Sequence, residues 1–179
     1  MTQPPKRKTK AHVYGTVTFN DPLAATIFDR RATDFNTGLR DKDLIKCGSI
    51  IGILYRKSAQ DDAAATDALQ ELVKLIGSNQ TRFDDTVAAI EEAFNDLPAE
   101  KRLPSRPGSG LSFDVTWNNK MFLAVLQILQ DFDAARGKLV CLKDHNAIEH
   151  KQYAKLSKQL LTPLRSIIES VFSLAKQAN

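Results

Sequence analysis

The stretch H-V-Y-G-T-V-T-F-N-D-P-L-A-A-T-I-F-D-R-R, residues His12 to Arg31, decides the fold because its hydrophobic period changes halfway along it. Up to Asn20 the side chains alternate, with Val17 and Phe19 on one face and threonines on the other. Such alternation in a segment rich in Val, Thr, Tyr and Phe is typical of a half-buried strand. Asp21 and Pro22 then make a good helix start, as N-cap and first helical residue. The stretch predicts a strand followed at once by a helix.

The predicted strand needs a partner, because an isolated strand leaves a row of unpaired N–H and C=O groups. No second alternating run follows within turn distance. The strand therefore pairs either with Leu111 to Trp117, the other alternating stretch, or with its own copy in a second chain. The second arrangement is a two-stranded antiparallel ribbon across a dimer axis, and such a ribbon fits the major groove of DNA. Pairing with residues 111–117 instead favours a helical protein that does not bind DNA.

The rest of the sequence predicts helices, one further strand and no internal repeat. A helix from Asp41 or Asp43 to Ser58 is apolar on much of its circumference, which indicates burial in a core or an interface. Downstream of it, the turn and capping residues predict an αα-hairpin over 61–94 broken at Gly77, followed by a loop at 98–110. A strand over Leu111–Trp117 comes next, and then a helix from Asn118 or Asn119 to Gly137. Two more helices are predicted, one from Asp144 or Asn146 and a last one starting at Thr162-Pro163.

Charge is distributed unevenly along the chain. Residues 1–60 hold 11 Lys and Arg against 5 Asp and Glu, residues 61–100 hold 2 against 10, and residues 101–179 hold 12 against 6. Four basic residues, Lys6, Arg7, Lys8 and Lys10, precede the predicted strand without an apolar residue among them. We expect residues 1–11 to form a disordered arm that follows DNA phosphates, the alternative being a solubilising tail.

Several classes of function lack their sequence signals. The chain has no phosphate-binding glycine loop, no C-x-x-C and no H-E-x-x-H motif, so we expect neither an enzyme nor a cofactor or metal site, and no small-molecule substrate. The polar run from Asp144 to His150 is interpreted as a helix start. No apolar run approaches the length that spans a bilayer, and Cys47 and Cys141 are interpreted as reduced core thiols. We expect a cytoplasmic protein with no membrane partner.

Four stretches resemble the AcaB-type proteins of conjugative plasmids and the related family of integrating conjugative elements. They are V-T-F-N-D-P-L-A-A-T-I-F-D-R-R, D-D-A-A-A-T-D-A-L-Q-E-L, S-F-D-V-T-W-N-N-K-M-F-L-A-V-L-Q-I-L-Q-D-F-D and L-R-S-I-I-E-S-V-F-S-L-A. This diffuse resemblance covers most of the chain. It implies a transcriptional activator of transfer genes, with a ribbon-helix-helix DNA-binding domain extended by further helices.

The N-terminal third also resembles ribbon-helix-helix proteins, and that resemblance implies roles for individual residues. Alternate ribbon side chains would contact bases, and the start of the second helix would contact phosphate. Base contacts would come from Tyr14, Thr16, Thr18 and Asn20, phosphate contacts from Arg40, Lys42 and Lys46, and the dimer core from Val17, Phe19, Ile50, Ile51 and Leu54. The connection between the first two helices, about residues 32–40, is longer than is usual in that class.

The sequence therefore predicts a mainly α fold in three parts. The arm at 1–11 precedes a ribbon-helix-helix module at 12–58 and a helical C-terminal region at 59–179. We expect a homodimeric regulator that binds double-stranded DNA and controls conjugative transfer genes. The alternative is a helical structural or assembly protein of the conjugation machinery that does not bind DNA.

Overall fold

The computed structural model describes residues 13–33, 37–39, 41–103, 108 and 110–178. The predicted arm residues Lys6, Arg7, Lys8 and Lys10, and also Arg40, lie outside the described residues. In chain order the elements are β1 (Gly15–Phe19), α1 (Pro22–Phe28), α2 (Leu44–Ser58), α3 (Ala63–Asn95), a 3₁₀ turn (Ala99–Lys101), β2 (Leu111–Val115), α4 (Lys120–Asp144) and α5 (His150–Gln177). The expectation of a mainly α fold is confirmed.

The two strands pair with each other in an antiparallel two-stranded sheet. Thr16 lies opposite Asp114 and Phe19 opposite Leu111, and the N–H of Tyr14 extends the ladder to the carbonyl of Val115. The predicted ribbon between two copies of the first strand is therefore corrected. The backbone groups along this edge of β1 are already bonded to β2, so the same edge is not open to a second chain.

Most predicted helix starts are confirmed by side chains that accept hydrogen bonds from the first turn. Asp21 accepts from the N–H of Leu23, and Asn119 accepts from the N–H of Phe122. Asp43 and Asp62 cap α2 and α3 in the same way. These caps place the starts of four helices where the sequence predicts them, because each satisfies a backbone N–H that the helix itself cannot.

Four predicted helix boundaries are wrong. α5 begins at His150 and not at Asp144 or Asn146, because Asp144 is still the last residue of α4. α3 continues through Gly77, α4 continues through Gly137, and α5 runs through Pro163 as a single helix. A helical glycine costs only about 1 kcal/mol relative to alanine, and an interior proline about 3 kcal/mol. Burial on both sides of each position outweighs these costs: Ile76, Asn79 and Phe83 flank Gly77 as a continuous buried stripe.

Two helix ends fall instead at non-glycine residues with left-handed backbone. Asn146 has φ of 54° after α4, and the N–H of Ala147 bonds back to the carbonyl of Leu142. Asp61 has φ of 61° after α2, and the N–H of Asp62 bonds back to Lys57. This is the Schellman arrangement, and Asn and Asp tolerate its left-handed residue better than most side chains do.

A single hydrophobic cluster joins β1, α1 and α2 to α3, α4 and α5. Val17, Phe19, Ile51 and Leu54 are buried in it, and Ile50 is half-buried against it. The resemblance to ribbon-helix-helix proteins implied that these five residues form the core of a dimer. Within one chain α3 and α5 pack on α2, where Ile51 and Leu54 are buried, whereas Ile53 of the same helix stays 44% exposed. Among the described residues no helix is both long and apolar enough to cross a membrane.

Candidate nucleic-acid interface

The outer face of the two-stranded sheet is polar and exposed, and we call it the ribbon face. From β1 and the residues flanking it, Tyr14, Thr16, Thr18 and Asn20 are all exposed, as predicted for one face of an alternating strand. From β2 it takes Ser112 and Asp114, which are also exposed. Thr18 Oγ1 and Ser112 Oγ lie 2.8 Å apart across the strands. The ribbon face therefore presents hydroxyls, one phenol, one amide and one carboxylate to solvent.

The opposite face of the sheet is anchored by aromatic rings. Phe19 is fully buried, and its ring centroid lies 5.5 Å from that of Phe28 on α1 and 6.0 Å from that of Phe113 on β2. The Phe28 and Phe113 centroids are 5.1 Å apart. Contacts of this kind add to the free energy of burial and fix the relative positions of the rings. The ribbon face is therefore backed by a packed cluster of three aromatic rings.

The junction between β1 and α1 is bound to α4 by a buried carboxylate. Asp133 accepts the backbone N–H of Asn20 at 3.0 Å and that of Asp21 at 2.6 Å. Burial raises the pKa of the Asp133 carboxyl above its usual value, although the two backbone donors act in the opposite direction. Contacts with α4 therefore fix the direction in which the chain continues from β1 into α1.

A second contact at this junction extends the network to α5. Arg136 Nε lies 3.2 Å from Asp21 Oδ2, and its Nη1 donates to Ser157 Oγ at 3.1 Å and to the Tyr153 hydroxyl at 3.3 Å. Both partners of the Arg136–Asp21 ion pair are largely buried, so solvent screens the pair less than it screens a surface pair. The ribbon, α4 and α5 are thus connected through one arginine.

Two glycines permit close contacts near the ribbon. A Cβ at Gly48 of α2 would lie 2.6 Å from the ring of Trp117, which packs on Phe122 with centroids 5.4 Å apart. Trp117 is partly buried and packs against the hydrophobic cluster. A Cβ at Gly108 would lie 2.6 Å from the Cβ of Asn20, so a side chain there would displace Asn20 from the end of the ribbon face.

The predicted phosphate contacts at the start of α2 are less exposed to an anion than the sequence suggested. Lys46 Nζ bonds the carbonyl of Asp41 and lies 4.0 Å from its carboxylate. Lys42 Nζ lies 5.7 Å from the centroid of the Phe172 ring. Both lysines are half-buried, and Asp41 and Asp43 offset their charge.

A cationic stripe on α5 was not singled out by the sequence analysis. Lys151, Lys155 and Lys158 are exposed and spaced by four and three residues, which places them on one helix face. None of the three forms an ion pair with a described residue. The spacing is visible in the sequence, but it becomes evident only when residues 150–177 are known to form one helix.

Two kinds of reactive site can be sought in the part of the chain that the structure describes, a cluster of metal-binding side chains and a reactive cysteine. No group of three or more His, Cys, Asp and Glu side chains there is placed to hold a metal ion. Cys47 and Cys141 are both free and buried, and burial raises the pKa of each thiol. Raised thiol pKa values are the reverse of what a cysteine nucleophile requires.

Comparison with known proteins gives one informative similarity. No protein-family model matches the chain, and no curated protein matches it. The fold is similar to the crystal structure of AcaB from uropathogenic E. coli, with a TM-score of 0.66 and 12% sequence identity. The similarity covers 92% of this chain and 79% of the AcaB chain. At this identity the similarity shows the fold.

Proposed function

We propose that this protein is a DNA-binding transcription regulator that inserts its ribbon face into the major groove. The observation that carries the proposal is the exposed polar face of a two-stranded antiparallel ribbon, with Thr16, Thr18 and Ser112 pointing outward. A ribbon of this width fits the major groove, and hydroxyl side chains can hydrogen-bond base edges there. The AcaB-like fold and the sequence resemblance to AcaB-type activators also support it.

The proposal differs from a conventional ribbon-helix-helix dimer in the origin of the ribbon. Both strands belong to one chain, so the DNA-reading surface is present without a second copy. The resemblance to regulators of conjugative transfer genes gives the proposed biological setting. The basic residues Lys6, Arg7, Lys8 and Lys10 precede β1 closely in sequence, and they would add affinity by contacting phosphates next to the groove.

The pairing of β1 with β2 within one chain favours a second candidate function. A helical assembly protein of the conjugation machinery would also pair its two strands internally, and it would use the acidic and basic faces of α3 and α5 for protein partners. The carboxylate of Asp114 on the ribbon face is compatible with this alternative, because it repels phosphate.

Selection from fragmented genomic DNA separates the two candidates. The full-length protein is incubated with random fragments, the bound DNA is recovered by electrophoretic shift and sequenced, and affinity is remeasured over a series of salt concentrations. The regulator predicts enrichment of a common sequence and a linear fall of log affinity with log salt. The assembly protein predicts no enriched sequence, and this outcome would contradict our proposal.

A further inference from the structure

A short sequence recurs at the two places where a strand meets a helix. Residues 17–21 read V-T-F-N-D and residues 115–119 read V-T-W-N-N. Each ends in the residue that caps the following helix, Asp21 for α1 and Asn119 for α4. Val17 and Val115 are both buried, and Asn20 and Asn118 are both exposed. The two segments therefore have the same residue at three of five positions and the same capping role, although Phe19 is fully buried and Trp117 only partly.

The order of elements repeats with this sequence. β1 is followed by α1 and α2, and β2 is followed by α4 and α5, with α3 inserted between the two units. Corresponding helices also pack on each other: α1 contacts α4, and α2 contacts α5. In a symmetric dimer, corresponding elements meet across the two-fold axis in this way. The chain therefore has the layout of two strand–helix–helix units joined by α3.

The register of the ribbon agrees with an approximate two-fold axis. When the two recurring segments are aligned, Thr16 corresponds to Asp114, and these residues lie directly opposite each other. Gly15, which corresponds to Phe113, pairs with Val115, and Val17, which corresponds to Val115, pairs with Phe113. Exchanging the units thus maps the ladder onto itself about the Thr16–Asp114 pair.

The side chains on the two halves of the ribbon face are not equivalent. The β1 half presents Tyr14, Thr16 and Thr18, and the β2 half presents Ser112, Asp114 and Thr116 at the corresponding positions. The central pair thus joins a neutral hydroxyl to a carboxylate. A carboxylate in the major groove accepts a hydrogen bond from the amino group of cytosine. Thymine and guanine present acceptor atoms in the major groove, so neither can donate a hydrogen bond to this carboxylate.

From this geometry we infer that one chain is a complete reading unit that recognises a non-palindromic DNA site, with Asp114 as a specificity-determining residue. The inference rests on the proposed function. Homodimeric ribbons read inverted repeats because their two halves are identical. Here the register of the ribbon is symmetric and the reading side chains are not, so the two half-sites differ. Asp114 selects an amino group, in the first place that of cytosine, near the centre of the site.

The experiment combines selection from a random duplex library with native mass spectrometry of the full-length protein on the selected duplex. We expect a motif without inverted symmetry and one chain per duplex. An inverted repeat bound by two chains would overturn this inference while leaving the proposed function intact. Failure to enrich any sequence would contradict the proposed function and this inference together.

A substitution tests the role of Asp114 itself. Asp114→Asn should lower the preference for the central base pair by about tenfold or more and leave the flanking preferences unchanged. Asp85→Asn is the matched control, since it removes one exposed carboxylate from α3, and its selected motif should equal the parent's. A motif from Asp114→Asn identical to the parent's would overturn the assignment of Asp114.

Discussion

Asp133 Oδ1 lies 2.6 Å from the backbone nitrogen of Asp21, so a buried carboxylate on α4 acts as acceptor for the turn that ends β1. The same carboxylate accepts the N–H of Asn20. Asp21 in turn caps α1 and pairs with Arg136. The residues between ribbon and helix are therefore positioned by contacts with α4 as well as by their own segment.

Replacing Asp133 should destabilise the fold at the junction between β1 and α1. Asp133→Ala leaves the N–H groups of Asn20 and Asp21 without acceptors, and each such loss costs about 1–3 kcal/mol. Urea unfolding followed by circular dichroism measures the free energy of unfolding. Asp84→Ala on the exposed face of α3 is the control and should change it by less than about 0.5 kcal/mol. Equal stabilities of the two variants would show that the junction does not depend on Asp133.

The raised pKa of Asp133 predicts a pH dependence with a definite sign. Burial is the main cause, so the folded state holds the proton more tightly than the unfolded state does. The resulting contribution to stability is present below the ordinary carboxyl pKa of 3.8 and is lost as the pH rises through the raised value. Unfolding at a series of pH values should show this loss in the parent protein and not in Asp133→Asn. The same pH dependence in both would contradict the prediction.

Two glycines in helices should respond to alanine in opposite directions. Gly48→Ala places a Cβ 2.6 Å from the ring of Trp117, and we expect overpacking to lower stability by about 1–3 kcal/mol. Gly77→Ala meets no atom within 4 Å and lies on the exposed side of α3, so helix propensity should raise stability by about 0.5–1 kcal/mol. Thermal unfolding of the two variants checks both signs, and a stabilised Gly48→Ala would contradict the packing at Trp117.

Local signals in the sequence are sufficient for the starts of α1, α2, α3 and α4, because a cap is a contact within three residues. Asp21, Asp43 and Asn119 are all identified in this way. Local signals fail for α5, which begins at His150 after Glu149, a residue that makes no side-chain cap hydrogen bond. Helix interiors depend on burial by distant elements, so Gly77, Gly137 and Pro163 mislead any argument from local propensity. Asn146 ends α4 where a glycine would be the obvious choice.

The exposed face of β1 could be predicted from the alternation of its residues, but its pairing could not. Alternation shows which side of a strand faces water and leaves the identity of its neighbour open. The recurrence of Val17–Asp21 in Val115–Asn119 is only five residues long and separated by α3, so it is not evident before the two segments are seen side by side. The sequence therefore left open whether β1 pairs with residues 111–117 or with a second chain, and the structure decides for the first.

The basic arm should contribute affinity without selectivity. Deleting residues 1–10 removes Lys6, Arg7, Lys8 and Lys10. If they contact phosphates, affinity should fall alike for all sequences, and the slope of log affinity against log salt should become shallower by about 0.9 per lost contact. A full-length variant with these four residues replaced by glutamine controls for chain length. An unchanged slope in both variants would contradict phosphate contact by the arm.

The most direct test of the ribbon face is the binding of the double variant Thr16→Ala/Thr18→Ala to the DNA that the parent protein selects. Both threonines are exposed, so the melting temperature should stay close to that of the parent. We predict that specific affinity, measured by fluorescence anisotropy, falls by about 1–3 kcal/mol for each lost base contact while affinity for unrelated duplex is unchanged. Binding of the selected DNA as tight and as selective as that of the parent would contradict the claim that this face reads DNA.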